Sequence, residues 1–436
     1  MLHDPSHYQP PPVAAEIRLS DSDTSVLRQL GESLAVAAAD PVHRERAELW
    51  RRLNDLDAVR PLVWINEIPW HEMNVNDELT LRCQHPWARD QEREIRRQLY
   101  QWQHLPGDMI LSDFVPCNLA LYSTDFGIVE QTDIVRTDPE SDIVSRRFHR
   151  QILDFPDIEK IKLPVVTHDE EATQYQFQAL QEVFRDVLPV RKVGQSHIWF
   201  TPWDYLIRWW GIEEAMLDMY ERPELVHAAV ERMVEAWMIE LDQFVALQGL
   251  ALDCNNTRVG SGGYGYVSAL PGADYDPAWV KPHNMWGCSN AQIFSEVSPE
   301  FHWEFALKHD LRWLRRWGLT YYGCCEPLDG KIDLLRRIPN LRKISASPWC
   351  QTDRLVEQIG IDYVISHKPS PAVLAEDDWD VERARRNLRR VLEQTRGCHV
   401  EVIMKDVSTV RRQPQRLWEW ARMAREEVEA RVPDCR

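Results

Sequence analysis

The sequence predicts an α/β protein of the (β/α)8 TIM-barrel class with an N-terminal helical extension. Apolar strand-like runs alternate with amphipathic helices along most of the chain, which indicates a parallel sheet. The alternation is most regular near the end, where predicted strands span 319–325, 342–347, 362–367 and 399–406. A doubly wound sheet would show a Gly-rich phosphate loop after its first strand, and Ile65-Asn66-Glu67-Ile68 is not one. About eight strand–helix units favour the barrel.

The first part of the chain predicts two helices ahead of the barrel. Residues 1–20 are rich in Pro and poor in large apolar groups, which predicts disorder. The predicted helices are 23–39 and 41–56, each preceded by a residue suited to capping. We therefore assign residues 1–58 to a tail and helical extension and residues 59–436 to the barrel domain.

The remaining elements follow from runs of apolar residues and from their period. Residues 117–167, rich in Asp and Pro, predict an inserted loop or subdomain, and the glycines between 260 and 265 predict a flexible lid. The other predicted strands are 60–66, 108–115, 190–199 and 250–255, and the other predicted helices are 86–104, 169–186, 204–220, 223–249, 298–318 and 413–431.

Composition narrows the class of function. The chain has 436 residues, 44% of them hydrophobic, and a net charge of −18, which argues against nucleic acid or an anionic membrane as a partner. No apolar run approaches the roughly 20 residues of a membrane span, and the N-terminus has no secretory pattern. The 9 cysteines follow no disulfide framework. These features predict a cytoplasmic globular protein.

A thiol-rich turn follows the predicted strand 319–325. Cys324, Cys325 and Glu326 together offer two soft ligands and a carboxylate, which suits a metal such as zinc. Two half-buried, inert cysteines are the alternative. Since side chains alternate along a strand, only one of the two thiols is expected to face the barrel axis. His367, at the end of a later strand, is the best placed further ligand, ahead of Cys288 and Asp406.

Several segments resemble the uroporphyrinogen decarboxylase superfamily. The resemblance lies in FPDIEKIKLP (155–164), in YERPELV (220–226) and in QIF (292–294) running into SPEF (298–301), and it covers roughly residues 108–425. It implies a (β/α)8 barrel. Members of that superfamily include porphyrinogen decarboxylases and zinc- and corrinoid-dependent methyltransferases.

The chain is closer to the methyltransferase branch. The decarboxylases carry an Arg-rich signature after the first strand, and the corresponding run here, residues 64–72, contains no Arg. The methyltransferases use His-x-Cys at the end of the strand that matches 319–325, and a later Cys at the end of the last strand. This chain has Tyr322 or Gly323 in place of the His. Here the last strand ends in Lys405-Asp406, and Cys398 lies at its start. A metal would therefore need a different set of ligands.

The resemblance implies a zinc-dependent methyltransferase (EC 2.1.1 type) that moves a methyl group between a small molecule and a corrinoid. No Asp-x-His-x-x-Gly motif is present, so a cobalamin would be free or carried on a separate corrinoid protein. The alternatives are a metal-independent carboxy-lyase and a non-enzymatic barrel that binds a ligand. The N-terminal helices would dock the corrinoid partner, pack on the barrel, or form a homodimer.

The candidate site residues fall into three groups. Asp113, which matches the Ser-Asp of the decarboxylases, and Glu326 are the candidates for catalysis. The candidate metal ligands are Cys324, Cys325, Glu326 and His367. Aromatic rings and amides near strand ends are candidates for contact with the substrate, although Asn255 also suits an ordinary turn. These candidates are Asn66, Trp199, Trp203, Asn255, Tyr264, Tyr266 and Gln292.

Overall fold

The computed structural model describes residues 17–136 and 144–431. Most of the predicted disordered tail and part of the predicted insertion lie outside the described residues. The helices are α1 (Asp21–Ala38), α2 (Val42–Asn54), α3 (Pro86–His104), α4 (Phe155–Ile158), α5 (Glu170–Phe184), α6 (Pro202–Trp210), α7 (Ile212–Glu221), α8 (Pro223–Ala246), α9 (Pro299–His302), α10 (Lys308–Leu314), α11 (Ile332–Leu335), α12 (Thr352–Ile359), α13 (Ala372–Ala375), α14 (Val381–Gln394) and α15 (Gln415–Glu429). The strands are β1 (Leu62–Ile65), β2 (Val115–Asn118), β3 (Leu121–Ser123), β4 (Thr132–Val135), β5 (Ser145–Phe148), β6 (Val166–His168), β7 (Val190–Val193), β8 (Trp286–Ser289), β9 (Leu319–Tyr322), β10 (Leu341–Ala346), β11 (Val364–His367) and β12 (His399–Met404).

The main sheet has six parallel strands in the order β1-β12-β11-β10-β9-β8. β12 lies between β1 and β11, with Ile65 opposite Met404 and Ser366 opposite Glu401. Every residue of β12 is buried, as expected for a parallel sheet that is covered on both faces. The predicted α/β class with a parallel sheet is confirmed.

The remaining parallel pairings are local. β2 pairs with β7, Gln195 forms an isolated parallel bridge with Leu250, and the Asp108 N–H donates to the Val63 carbonyl at 2.7 Å. Within the described residues these contacts do not join the six-stranded sheet into one hydrogen-bonded ring. Closure of a (β/α)8 barrel therefore stays a prediction.

Some predicted strands are shorter than expected. The second begins only at Val115, and the segment after Leu250 forms a bridge instead of a strand. There the Asn255 carboxamide oxygen accepts from the N–H of Thr257 at 2.8 Å and from its hydroxyl at 2.6 Å. Such local side-chain bonds offer the backbone an alternative to a sheet ladder.

The two N-terminal helices pack on the rest of the chain. α1 begins at the Ser20 cap, whose hydroxyl accepts from the Asp23 N–H, and its buried Leu27 joins a core cluster with Phe184 of α5. α2 lies across the amino ends of the main sheet, where the Asn54 carbonyl accepts from Arg342 at the start of β10. Its Trp50 is fully buried and donates to the Asp108 carbonyl at 2.8 Å. The boundary at residue 58 stays a prediction.

The glycine-rich segment is part of the core, so the expected lid is wrong. Residues 260–265 are all buried. A Cβ on Gly262 would lie 2.3 Å from a carboxylate oxygen of Glu401, and one on Gly263 would lie 2.3 Å from the Trp50 ring. The glycines are needed because two buried side chains approach the backbone closely.

Candidate active site

The polar side chains that end the parallel strands meet at one edge of the main sheet. In an open or closed parallel sheet, ligands bind at the carboxyl ends of the strands. Here β1 leads into Glu67, β8 into Asn290, β9 into the two thiols, β11 into Lys368 and β12 into Lys405. This edge is the candidate active site.

The two thiols lie side by side. Their sulfur atoms are 3.6 Å apart, and Cys324 is buried while Cys325 is partly exposed. β9 ends at Tyr322, and Gly323 turns the chain with a φ of +100°, a conformation that strongly favours glycine. Because the strand has ended, side chains no longer alternate. The expectation that only one thiol faces the site is therefore wrong.

Lys405 places an ammonium group among the acidic groups and the thiols. Its Nζ lies 2.8 Å from Asp406 Oδ2, 3.5 Å from Cys324 Sγ and 3.7 Å from Glu67 Oε2. Burial alone would lower the pKa of Lys405, but Cys324, Glu67 and Asp406 together raise it above its ordinary value, so the group stays charged. A hydrogen bond from Cys324 and the charge of Lys405 lower the pKa of Cys325, against its partial burial.

Glu326 is held by the backbone. One carboxylate oxygen accepts from the Cys324 N–H at 2.8 Å and the other from the Ala291 N–H at 3.1 Å. The side chain is fully buried, and this desolvation raises its pKa despite the two hydrogen bonds. Through its two oxygens, Glu326 thus links the turn after β9 to the segment after β8, which is a structural role.

His367 lies on the other face of its strand. Its neighbours Ser366 and Lys368 both point towards Glu401 and Tyr321, where Ser366 donates to Glu401 at 2.6 Å and Lys368 donates to the Tyr321 hydroxyl at 2.6 Å. Because side chains alternate along a strand, His367 points away from that face. Burial lowers its pKa to about 3, so the imidazole is neutral.

Two of the predicted substrate contacts reach the site edge. Gln292 donates to Asp204 Oδ2 at 2.6 Å, and its N–H donates to the Asn290 carboxamide oxygen at 3.4 Å. The Asn66 carboxamide, at the end of β1, is buried with no partner for its oxygen or its nitrogen in the part of the chain that the structure describes. Buried polar atoms without partners are uncommon, so Asn66 is a strong candidate for contact with a ligand.

The predicted catalytic acid Asp113 lies at the surface. Its side chain is 76% exposed and forms a loose ion pair with Arg191 at 3.7 Å. A carboxylate in this setting is solvated, and its contacts do not bring it to the thiols.

The predicted aromatic contacts are mostly structural. Trp203 is buried and donates from Nε1 to the Phe305 carbonyl at 2.9 Å, and Tyr264 is buried against Trp50. Tyr266 is partly buried beside Tyr264, while Trp199 packs on a small core cluster with an unpaired Nε1 among the described residues. Trp203 and Tyr264 are thus part of the core, while contact of the partly buried Trp199 and Tyr266 with a substrate stays a prediction.

The sequence patterns did not predict the charged groups on the sheet face below the site. Lys343 of β10 and Glu401 of β12 are both fully buried and form an ion pair of 2.9 Å. Beside them, burial lowers the pKa of Lys368 to about 7. A charge in the middle of an otherwise apolar strand, as in Val400-Glu401-Val402, is the signal that could have revealed them.

Behind β9, a neutral histidine couples stability to pH. His302 receives a hydrogen bond from Lys331 Nζ at 3.1 Å and donates to the Tyr322 hydroxyl at 2.6 Å. Burial, followed by the charge of Lys331, lowers the pKa of His302 from 6.5 to about 3. Between pH 6.5 and about pH 3 the unfolded chain binds a proton on this histidine that the folded chain does not. The free energy of unfolding therefore has its full value, as far as this group is concerned, above pH 6.5, and it decreases as the pH falls.

We therefore expect the free energy of unfolding to fall with decreasing pH below 6.5, by up to about 1.4 kcal/mol per pH unit from this one group. His302→Gln removes the titration, and urea unfolding between pH 7 and pH 5 should then show a shallower slope than the unaltered protein. Identical slopes in the two proteins would contradict the assignment.

Comparison with known proteins gives a likeness of fold. Neither a protein-family model nor a curated protein matches the sequence. Among solved structures, a methyltransferase from Methanosarcina mazei has a similar fold, with a TM-score of 0.50 and 11% sequence identity. The match covers 88% of this chain and 98% of that chain. No helix in the described part of the chain has the length and apolar character needed to cross a membrane. The chain thus shares its overall fold with that methyltransferase over nearly its whole length.

Proposed function

We propose that the chain is a methyltransferase that moves the methyl group of a small molecule at the carboxyl ends of its parallel strands. The observation that carries the proposal is the thiol pair of Cys324 and Cys325 beside the Lys405 ammonium at that edge. A thiolate is a strong nucleophile towards carbon, and a neighbouring cation favours it over the thiol. The fold likeness and the resemblance to the uroporphyrinogen decarboxylase superfamily support the same class, and a closed (β/α)8 barrel belongs to this proposal.

Cys325 is the sulfur that meets the methyl carbon, since it is the more exposed of the two. The new carbon–sulfur bond forms as the methyl group leaves its oxygen, nitrogen or sulfur atom. The electron pair of the broken bond stays on that atom, which takes up the proton of the thiol. An acceptor thiol then takes the methyl group from the Cys325 sulfur, which keeps the electron pair of the broken carbon–sulfur bond and takes up the acceptor's proton. Cys324 and Lys405 hold the attacking sulfur in place and favour its anionic form.

Corrinoid dependence stays a prediction of the resemblance. When bound, a corrinoid would supply a methyl group on cobalt or accept one. The feature of this chain that suits a flat macrocycle is Trp349, which follows β10 at the site edge and is 75% exposed. Asn66 and Gln292 would then orient the small molecule, and the turn held by Glu326 would fix the thiols.

The test is methyl transfer from small molecules that carry an O-, N- or S-methyl group to a panel of small thiols, with the appearance of the demethylated compound as the rate. We expect Cys325→Ser to lower this rate by at least about a hundredfold, because a hydroxyl is a far weaker nucleophile. Without an acceptor, the intact mass of the unaltered chain should rise by one methyl group in place of one hydrogen.

Cys398→Ser is the matched control. Cys398 is also a partly exposed, free cysteine, but it lies just before β12, at the opposite edge of the sheet. The control should keep the full rate and the same gain in mass. Equal rates in the Cys325→Ser and Cys398→Ser variants would exclude Cys325 as the nucleophile.

A further inference from the structure

The spacing of the two thiols would by itself allow a metal ion. Two sulfur ligands at about 2.3 Å from a tetrahedral zinc lie roughly 3.8 Å apart, close to the 3.6 Å between Cys324 and Cys325. Asp406 Oδ2 lies 3.9 Å from Cys325 Sγ. Whether these groups bind a metal therefore depends on what else lies between them.

The Lys405 side chain lies among these groups. Lys405 Nζ contacts Cys324, Asp406 and Glu67, and the side chain is 5% exposed. Both carboxylates sit on residues with a left-handed backbone, with φ of 52° for Glu67 and 55° for Asp406. Such conformations are strained for residues other than glycine, so the fold accepts strain at the ends of β1 and β12. Both carboxylates lie within ion-pair distance of the ammonium, Asp406 at 2.8 Å and Glu67 at 3.7 Å.

The charges at this edge are balanced without a metal. Glu67 also pairs with Arg258 at 2.7 Å and accepts from the Asp406 N–H at 3.2 Å. Two carboxylates thus face two cationic side chains. A divalent ion bound by the thiols and Asp406 would lie close to the Lys405 ammonium, and repulsion between the two cations disfavours its binding.

The other predicted ligands do not complete a metal site. Both oxygens of Glu326 are held by backbone N–H groups, and His367 points to the opposite face of β11. Among residues 17–136 and 144–431, no three His, Cys, Asp or Glu side chains are arranged to hold a metal ion. With the Lys405 ammonium among them, the residues present thus do not fit the zinc site that the family resemblance implies.

We propose that Lys405 is the resident cation of this site and takes the place that a zinc ion would occupy between the thiols and the carboxylates. The site is a latent metal site, closed by one ammonium group. Metal content is measured without turnover, so this proposal and the proposed methyl transfer can fail separately.

The test compares zinc and Co²⁺ binding after incubation with each metal and removal of the excess. The unaltered protein should retain well under one zinc per chain, and Lys405→Met should retain about one, with thiolate-to-cobalt absorption in the near ultraviolet. Lys405→Arg keeps the positive charge and should bind as little as the unaltered protein. Adding Cys324→Ser to Lys405→Met should remove the gained metal.

The opposite results would overturn the proposal. One zinc per chain in the unaltered protein, lost in Cys324→Ser, would show that the ammonium does not exclude the metal. A folded Lys405→Met variant that binds no zinc would show that no latent site exists. If circular dichroism shows that Lys405→Met does not fold, the unaltered protein is treated with a thiol reagent in the presence and absence of zinc. Protection of its thiols by zinc would overturn the proposal, and unchanged thiol reactivity would support it.

Discussion

Glu401→Gln is expected to destabilise the protein by about 3–5 kcal/mol, because it leaves the Lys343 ammonium buried without a counter-charge. Both side chains are fully inaccessible to solvent, and Glu401 is also held by the Gly263 N–H at 3.0 Å. The glutamine keeps the size of the side chain and removes only the charge. Urea unfolding followed by tryptophan fluorescence gives the change in free energy.

A double substitution tests whether the loss of stability comes from the unpaired charge of Lys343. Lys343→Met combined with Glu401→Gln removes both charges and should recover part of the loss, with a coupling energy of about 0.5–3 kcal/mol. Glu235→Gln is the control, since its pairing with Arg232 lies at the surface and should be worth less than about 1 kcal/mol. A loss as small as this control in Glu401→Gln would mean that the buried pair does not stabilise the fold.

Gly265→Ala is the second substitution with a large expected effect. An added Cβ would lie 2.0 Å from the Asp253 carbonyl oxygen, which belongs to the backbone and cannot rotate away. Gly265 also donates to the Asn255 and Thr257 carbonyls at 3.1 and 3.0 Å, and its carbonyl accepts from the Trp286 indole at 2.8 Å. Relief of the clash must break some of these bonds.

We expect a loss of about 1–3 kcal/mol from the overpacking alone, and more if the hydrogen bonds break. Gly330→Ala is the matched control, because its Cβ would meet only the flexible end of Arg354, at 3.5 Å. Thermal unfolding of the two variants should therefore differ clearly. A Gly265→Ala variant as stable as the control would show that the segment 253–265 adapts freely.

The sequence predicts the parallel sheet and places the candidate site at the carboxyl ends of its strands, because both depend on local patterns. Runs such as His399–Met404 alternate with helices, and the thiols, the carboxylates and Lys405 all follow apolar strands. What it could not predict depends on contacts distant in the chain. The turn at Gly323 that brings both sulfurs together, and the fit of Gly262 against Glu401, appear only once the strands are assembled.

Contacts distant in the chain also explain why the three adjacent residues predicted as zinc ligands have different surroundings in the structure. Cys324, Cys325 and Glu326 are adjacent in sequence, and adjacency suggested a shared metal. In the structure, backbone N–H groups hold Glu326, whereas the thiols lie beside Lys405, which is about 80 residues further along the chain. A pattern of residue types does not reveal which cation occupies the space between them.

The position of helix α2 affects how a small molecule can reach the sheet. Its Trp50 lies against Gly263 at the amino ends of the strands and, with Leu53 and Leu62, closes that side. α2 thus covers this side of the described sheet, and the candidate site lies at the opposite edge, where the parallel strands end.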